Sequence, residues 1–456
     1  MESVQRPRSI EMPGVEESTR THLSPMSPSS HFTRNIIANV SNCIFPFVTL
    51  CHWDNIMGPK VRHLWLTRTS SRQLTKDVLQ SVASHTLNSE ICRDPFEPAI
   101  DTRLNVAPER NLAFYSSLFG AMGIHEQCVH SLCFIMSKKN LHHFLCMQDV
   151  CHQWILRMSS NLRTLLSKTD FDEATATFSR YLAEFIKMIE SLRQNKLPCT
   201  LHLVDTAFYP QHKFDPSFLQ RALAAHLISL GRTVVTGYSK GKINLLISAL
   251  AMFLSSDEQR CCRYLDEDKP LPYHQDLCLQ GILQKPDEDL PASLADLVFS
   301  QYPTTVIDLN KSRILQSAFF PDHYIKRQEA LKHEVASVLK NENHTSTPKY
   351  TVWELLHPFE DGLSTFIVEN FMQQFLYLPP SPGTKEGLVL LFKNQLYKRA
   401  LALIKYVEDL VQAGKVPLSL HLKRLRQDLD LTGMGDFKLV LGAAEKMKPG
   451  FCQSVL

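Results

Sequence analysis

The sequence predicts an α+β protein in which an N-terminal antiparallel sheet packed by helices is followed by an α/β core and a helical C-terminal part. Three observations predict this class. Strand-like and helical runs alternate over the first half, a strand-like run precedes a helical run near residue 240, and helical segments dominate from about residue 350. The chain has 456 residues, 44% of them hydrophobic. Because a single core stops growing at about 250 to 300 residues, more than one domain is expected.

Residues 1–36 have the composition of a disordered tail. The stretch "STRTHLSPMSPSSHF" contains few large apolar side chains, so it cannot bury enough surface to offset the entropy of ordering. Its two Ser-Pro steps, at Ser24 and Ser27, are potential phosphorylation sites. The start "MESVQRPRSIEMPGVEES" lacks the apolar region of a signal peptide. We therefore expect a cytoplasmic protein with reduced thiols.

Residues 37–200 predict the N-terminal domain. Aliphatic and aromatic runs on either side of "NIMGP" favour a β-hairpin, because Gly and Pro favour a turn. In the helix that follows, Leu74, Val78 and Val82 have the spacing of one helical face. The predicted elements are strands at 44–54 and 60–66, a helix at 73–90, strands at 111–122 and 126–137, and helices at 141–168 and 171–194. This order is typical of a small antiparallel sheet packed by helices.

The second half predicts a different architecture. Residues 201–216, with two prolines and few core residues, predict a linker. The following predictions are an α/β core at 217–340 and a helical part at 341–456. Within the core, a helix at 218–231 ends at Gly231, a strand covers "TVVTG" at 233–237, and a second helix covers 242–254.

The corner "WDNIMGPKV" at 53–61 holds the candidate structural or interface residues. Gly58 tolerates a positive φ, and Pro59 fixes its own φ while disfavouring a helical Gly58. We predict a structural reversal between the first two strands, with Trp53 beside the turn. The alternative is that Trp53 or Asp54 contacts a partner.

No residue is nominated as a catalytic group, a cofactor ligand or a metal ligand. "GYSKGK" at 237–242 lies where a phosphate-binding loop would lie, but it has three residues between its glycines and Ile243 after Lys242, so a strand-to-helix turn is favoured. The histidines of "HEQCVH" at 125–130 are five residues apart, which takes them off one helical face. The cysteine spacings do not match zinc sites, and buried thiols explain them better.

The charge of the chain disfavours nucleic acid as a partner, because 49 Lys and Arg residues balance 46 Asp and Glu residues. No apolar run approaches the roughly 20 residues of a membrane span. In "HLKRLRQDLD" at 421–430, Lys423, Arg424 and Arg426 favour a solvated helix face, with an acidic partner or a lipid headgroup as the alternative.

Several non-repetitive stretches, in the same order along the chain, resemble the chromosome 9 open reading frame 72 family of longin and DENN domain proteins. They are "HWDNIMGPKVRHLW" at 52–65, "HTLNSEI" at 85–91, "AIDTRL" at 99–104, "YPTTVID" at 302–308, "KRALALIKYVEDLVQAGK" at 398–415 and "QDLDLTGMGDFKLVLGAAEKMKPGF" at 427–451, with a weaker match at 223–263. The resemblance implies a longin domain followed by a DENN module, which agrees with the layout derived above.

The resemblance also implies a function. It implies a regulator of Rab and Arf small GTPases in autophagy and endolysosomal traffic, recruited from the cytoplasm to lysosomes, endosomes or autophagosomes through partners. The implied partners are a second longin-DENN protein, known as the Smith-Magenis region partner, and a WD-repeat protein.

Two hypotheses follow from the resemblance. The first is a guanine-nucleotide-exchange-type subunit, because DENN proteins promote GDP release by reshaping the switch regions of Rabs and need no covalent chemistry for it. The second is a non-catalytic scaffold that stabilises a partner with GTPase-activating activity. GTPase activation requires a cation such as an arginine finger, and the resemblance implies that the partner supplies this arginine. Arg62 and Arg103 are therefore interpreted as ordinary surface charges.

Overall fold

The computed structural model describes residues 32–456 except 39–42, 68–74, 91–92, 95, 123–126, 266–270, 340–349, 360–364, 380, 382 and 415–421. Most of the predicted tail, with Ser24 and Ser27, lies outside the described residues. So does Leu74 of the first predicted helix.

The first sheet contains six strands in the order β1-β3-β2-β6-β5-β4. They are β1 (Thr33–Ala38), β2 (Phe47–Asp54), β3 (Gly58–Thr67), β4 (Asp101–Ala107), β5 (Leu112–Met122) and β6 (Gln127–Ser137). β1 pairs parallel with β3, and every other pair in this sheet is antiparallel. The predicted hairpin and the strands at 111–122 and 126–137 are confirmed as β2, β3, β5 and β6.

Both edge strands of this sheet differ from the predictions. Strand β1 begins at Thr33, so residues 33–36, assigned to the disordered tail, are ordered by pairing with His63–Leu66 of β3. Strand β4 was not predicted at all. Only Ala107 of β4 is buried, so its sequence lacks the apolar run of a buried strand, and pairing with β5 orders it instead.

Alternate side chains of the first sheet enter two different apolar clusters, as the two-residue period of a strand requires. In β6, Val129, Cys133 and Ile135 pack in one cluster with the buried face of α1 (Lys76–Leu87). Leu132 and Phe134 belong to the other, with α3 (Gln148–Lys168) and α4 (Phe171–Gln194). The predicted sheet packed by helices is therefore confirmed, and it is antiparallel except for the edge strand β1.

Two helix predictions need correction. The helix predicted at 141–168 is two helices, α2 (Leu141–Cys146) and α3, because Met147 between them has φ −111° and ψ 10°, outside the helical region. The first helix begins at Lys76, not 73, and its buried face is Leu79, Val82, Ala83, Thr86 and Leu87; Val78 is only half-buried.

The segment at 201–216, predicted as a linker, packs into the apolar core. Leu203, Ala207 and Phe208 are buried, and the Ala207 amide donates to the Leu245 carbonyl at 2.9 Å. The Phe208 ring lies 5.2 Å from the Phe375 ring of the C-terminal part. One continuous cluster of buried residues consequently runs from the first sheet into the second half of the chain.

The second sheet has the order β11-β10-β9-β7-β8. Its strands are β7 (Thr233–Gly237), β8 (Leu279–Leu283), β9 (Thr305–Asp308), β10 (Arg313–Ser317) and β11 (Leu356–Pro358). β7 lies between β8 and β9 and is parallel to both, whereas β10 and β11 continue the sheet in antiparallel fashion. The strand predicted at "TVVTG" is confirmed, and β11 extends the sheet into the region predicted to be helical.

The remaining helices surround this sheet and form the C-terminal part. They are α5 (Pro216–Ile228), α6 (Lys240–Ala251), α7 (Ser256–Arg260), α8 (Asp322–Leu339), α9 (Val352–Leu355), α10 (Phe366–Tyr377), α11 (Thr384–Gln412), α12 (Leu422–Asp428), α13 (Met434–Met447) and α14 (Phe451–Val455). Gly231 has φ +82°, and its amide bonds the His226 carbonyl, so it ends the helical segment as predicted. Within the described ranges, no helix combines the length and the apolar composition that a membrane crossing requires.

Candidate functional site

The predicted corner is a tight reversal between β2 and β3. Asp54, the last residue of β2, pairs with Gly58, the first residue of β3. Gly58 has φ +75°, which L side chains rarely adopt, and an added Cβ there would meet no atom within 4 Å. The requirement for glycine is therefore conformational and does not come from close packing.

The Asp54 carboxylate accepts hydrogen bonds from three groups of the corner. Its Oδ1 accepts hydrogen bonds from the amides of Ile56 and Met57, both at 2.9 Å, and its Oδ2 pairs with Lys60 Nζ at 2.6 Å. The hydrogen bond from Lys60, followed by those from the two amides, holds the pKa of Asp54 well below its usual range. The carboxylate thus stays ionised, with three donors from its own chain.

Trp53 and Pro59 are directly opposite each other across the hairpin. Trp53 is half-buried and packs, with Val61, against the cluster that also contains α1. Pro59 is buried, and its carbonyl accepts a hydrogen bond from Gln80 Nε2 of α1 at 2.7 Å. These contacts fit the predicted structural corner.

The exposed residues of the corner are ones that the sequence analysis did not single out. Ile56 is 91% exposed and Met57 is 60% exposed at the tip of the loop. The signal for them was the position of two large apolar residues inside a turn, where no core can cover them.

A second candidate site lies at the carboxyl ends of the parallel strands. In open α/β sheets ligands bind at this edge, because the loops that follow parallel strands meet there. The segments following β7 and β9 meet because these two strands are paired. Both belong to stretches that carry the DENN resemblance, at 223–263 and 302–308.

Side-chain amides tie the loops of this edge together. The Tyr238 amide donates to Asn310 Oδ1 at 3.1 Å, and Asn310 Nδ2 donates to Gln284 Oε1 at 2.7 Å. Buried Asp308 accepts from the amides of Asn310 and Lys311 and from Arg313 Nε at 2.9 Å. The loops after β7, β8 and β9 are thereby held as one unit.

The "GYSKGK" motif is the strand-to-helix turn that its spacing favoured. Gly237 ends β7, and α6 begins at Lys240. Ser239 caps α6 by accepting a hydrogen bond from the Lys242 amide at 3.5 Å. The motif therefore closes the strand and starts the helix.

A series of contacts leads from this motif, through Asn310 and Asp308, to exposed cationic and aromatic side chains. Tyr238 is 54% exposed, and Trp353 of α9 is 49% exposed, with the Arg313 guanidinium 5.1 Å from its ring centroid. Arg313 also pairs with Asp289 at 2.8 Å, and Lys311 pairs with the same carboxylate. We call Tyr238, Lys311, Arg313 and Trp353 the strand-end surface. No motif in the sequence predicted this set, and the tryptophan in "TVWELL" is its one local signal.

The other motifs with possible chemistry have structural environments. His130 of "HEQCVH" is buried in β6 and stacks on Phe119 with ring centroids 5.8 Å apart, and burial lowers the pKa of this histidine to about 3. His125 lies outside the described residues. Eleven cysteines in the described part of the chain are free thiols. Across the same described ranges, no group of three or more His, Cys, Asp or Glu side chains is arranged to hold a metal ion.

The arginines considered as catalytic cations are engaged within the chain. The guanidinium of Arg62 lies 4.0 Å from the ring centroid of Phe171. Arg103 pairs with Glu90 at 2.5 Å. Of the cations at 421–430, Arg424 pairs with Asp428 at 3.6 Å, and Arg426 donates to the Leu431 carbonyl at 3.2 Å.

Comparison with known proteins gives a consistent set of matches. A model of the C9orf72-like protein family matches residues 81–323. The Rattus norvegicus protein named guanine nucleotide exchange factor C9orf72 homolog is 28% identical over 431 residues, which cover 88% of this chain and 89% of the rat protein. The Homo sapiens protein named guanine nucleotide exchange factor C9orf72 is 27% identical over 431 residues, which cover 88% of this chain and 89% of the human protein.

Proposed function

We propose, because this chain belongs to the C9orf72-like protein family, that it regulates a small GTPase as a guanine-nucleotide-exchange-type subunit. The names of its rat and human relatives support this activity. The single structural observation behind the proposal is the strand-end surface, which we propose as the GTPase-binding site. Exchange requires a surface that holds the GTPase switch regions in a conformation with low nucleotide affinity, and it requires no covalent chemistry.

The strand-end surface has the composition of a binding hot spot. Trp, Tyr and Arg side chains dominate the binding energy of most protein interfaces. Tyr238 and Trp353 are about half exposed. The surface is also preorganised, because Asn310 bridges the loops after β7 and β8, and Asp308 fixes Arg313. A partner that docks here would not have to order these loops, which lowers the entropic cost of binding.

The finer parts of the proposal rest on family resemblance. The GTPase belongs to the Rab or Arf group. The chain acts in a complex with a second longin-DENN protein, the Smith-Magenis region partner, and a WD-repeat protein, in autophagy and endolysosomal traffic. Those partners recruit it from the cytoplasm to lysosomes, endosomes or autophagosomes.

Release of a fluorescent GDP analogue from a panel of purified Rab and Arf proteins tests the proposal, with the chain alone and co-purified with its longin-DENN partner. We expect faster release for at least one GTPase. Tyr238→Ala and Trp353→Ala should each slow the stimulated release by about 5- to 30-fold, as the loss of roughly 1–2 kcal/mol at a hot spot requires. Tyr377→Ala is the matched control, because Tyr377 is a 90% exposed aromatic on α10.

Two results would contradict the proposal at different levels. Unchanged GDP release across the whole panel, with and without the partner, would exclude an exchange-type activity. Stimulated release that Tyr238→Ala and Trp353→Ala leave equal to the Tyr377→Ala control would retain exchange but exclude the strand-end surface.

A scaffold is the second candidate function, and strand β4 favours it. β4 ends the order of the first sheet, and six of its seven residues are exposed or half-buried, including Val106 at 43%. An exposed edge strand can accept a strand from another protein through main-chain hydrogen bonds. Val106→Pro would remove a backbone donor from this strand. If this edge holds the longin-DENN partner, the variant should lose co-purification; retained co-purification would exclude the edge as the contact.

A further inference from the structure

Three cysteines meet where α7 ends beside the start of β8. Cys261 and Cys262 directly follow α7, and Cys278 directly precedes β8. The Cys278 amide donates to the Cys261 carbonyl at 3.0 Å. Arg263 and Gln280 form a parallel bridge two residues further on, so Cys261 and Cys278 are opposite each other at the spacing of neighbouring strands, about 4.8 Å. That spacing falls within the roughly 4.4–6.8 Å between Cα atoms that a disulfide requires.

A buried cation singles out Cys278 among these thiols. Arg232 Nη1 donates to Cys278 Sγ at 3.0 Å and also to the Asp276 carbonyl. The neighbouring Cys261 and Cys262 thiols, together with the charge of Arg232, lower the pKa of Cys278 well below its ordinary value, against the opposing effect of burial. Contact with Cys278 and burial raise the pKa of Cys261. The contact with the Arg232 guanidinium therefore favours the thiolate form at Cys278, with the Cys261 thiol beside it.

A second pair of thiols in the same protein lacks the cation. Cys51 and Cys133 are buried neighbours in the first sheet. The polar groups at hydrogen-bond distance from their sulfurs are the hydroxyls of Thr49, Ser131 and Thr86. Because both pairs are nearly inaccessible to solvent, a difference in oxidation between them cannot come from burial alone.

We propose that Cys261 and Cys278 are a peroxide-sensitive dithiol pair that oxidises reversibly to a disulfide. The Cys278 thiolate attacks one oxygen of hydrogen peroxide, the O–O bond breaks, and the released hydroxide takes up a proton to become water. Cys278 is then a sulfenic acid. The Cys261 sulfur attacks the sulfenic sulfur, and the hydroxyl leaves with the Cys261 proton as a second water. In total two thiols lose two electrons, and one peroxide becomes two waters.

Oxidation changes the contact between the two halves of the chain. In the reduced form the Cys261 thiol donates to the Cys146 carbonyl at the end of α2, at 3.4 Å. The disulfide has no proton to donate there, and it also removes the anionic partner of buried Arg232. The oxidised form therefore loses one link between the first domain and the second sheet, and a thiol reductant restores it.

Peptide mapping of the full-length protein, co-purified with its partner where required, tests the pair. The reduced protein is titrated with hydrogen peroxide, quenched, unfolded, alkylated and digested. We expect a disulfide between Cys278 and Cys261, with the Cys51–Cys133 pair still alkylated. Cys262→Ser should leave this disulfide in place, and Cys278→Ser should abolish it. Arg232→Gln should slow its formation at least about tenfold, because one unit of thiol pKa changes the thiolate fraction about tenfold, whereas Arg232→Lys retains part of the rate.

Each of three outcomes would overturn the proposal. The first is alkylation of both Cys261 and Cys278 at peroxide concentrations that oxidise exposed Cys199. The second is a disulfide from Cys278 to Cys262 instead. The third is an equal rate of disulfide formation in folded Arg232→Gln and wild-type protein. The readout is independent of GTPase exchange, so its failure and the failure of the proposed function are distinguishable.

Discussion

The ion pair between Arg157 and Glu334 joins the first domain to the second half of the chain, and its removal should destabilise both together. Arg157 of α3 donates to Glu334 of α8 through Nε and Nη2, each at 2.8 Å, and its Nη1 donates to Gln275 at 2.6 Å. The guanidinium also lies 3.7 Å from the ring centroid of Phe299. The two side chains are 22% and 13% exposed, so solvent screens the pair only in part.

The expected magnitude follows from that burial. Removing one partner of a fully buried pair costs about 3–5 kcal/mol, because the remaining charge is left without compensation. Allowing for the partial exposure, Glu334→Leu should lower the free energy of unfolding by about 2–3 kcal/mol. Arg157→Met combined with Glu334→Leu replaces both charges by apolar groups. This double variant should come within about 1 kcal/mol of wild type.

A double-mutant cycle measured by urea unfolding checks the reasoning. Because Arg157→Met alone should cost about as much as Glu334→Leu, the coupling energy between the two sites should be about 3–5 kcal/mol. Fluorescence and circular dichroism should report the same single unfolding transition, because the core is continuous across the two halves. A double variant whose loss equals the sum of the single losses would refute the assignment of this energy to the pair.

Three further predictions concern the corner, the second sheet and pH. Gly58→Val should lower the free energy of unfolding by about 1–2 kcal/mol, because the φ of +75° at this position disfavours a branched side chain, and Gly58→Asn should lower it less. A Gly58→Val protein that folds with wild-type stability but no longer forms its complex would instead show that the corner contacts a partner. In urea unfolding, Gly281→Ala should lower the free energy of unfolding by about 1–3 kcal/mol, because the added Cβ would lie 2.8 Å from Ile243 and 2.9 Å from Leu265. Gly387→Ala is the control: its Cβ would meet open space in α11, so this variant should gain up to about 1 kcal/mol. Burial lowers the pKa of His226 to about 3 and that of His323 to about 4. The stability that these neutral histidines contribute is therefore fully present above pH 6.5 and falls toward pH 4 by about 1.4 kcal/mol per pH unit for each histidine. In thermal melts, the melting temperature of His323→Gln should fall less steeply with decreasing pH than that of the wild type.

Local patterns predicted the elements whose structure is decided locally. The Gly-Pro corner specified the reversal at Gly58 because only a few residues tolerate its backbone geometry. The run 171–194 predicted α4 with the observed bounds, since its apolar residues recur along one helical face. Strands β5, β6 and β7 were predicted because they are buried on both sides and rich in apolar residues.

The elements that were missed depend on distant partners. β1 and β4 are ordered by pairing with β3 and β5, so neither needs a strong apolar pattern of its own. β9, β10 and β11 contain three to five residues each, too short for a two-residue period to stand out. The buried segment at 201–216 resembled a linker because prolines and polar residues surround the few apolar side chains that anchor it.

The sequence by itself determined the class of architecture, the turn at the corner and the absence of any familiar catalytic motif, because these depend on composition and on neighbours along the chain. The tertiary structure alone decided which residues form sites. Tyr238 and Arg313 lie at the same edge because β7, β9 and β10 are adjacent in the second sheet, and Trp353 joins them through its contact with the Arg313 guanidinium. Cys278 acquired a cation and a neighbouring thiol because the start of β8 lies beside Arg232 and Cys261. Strand order and register determine these contacts, because they bring together residues that are distant in the sequence and that no local pattern relates.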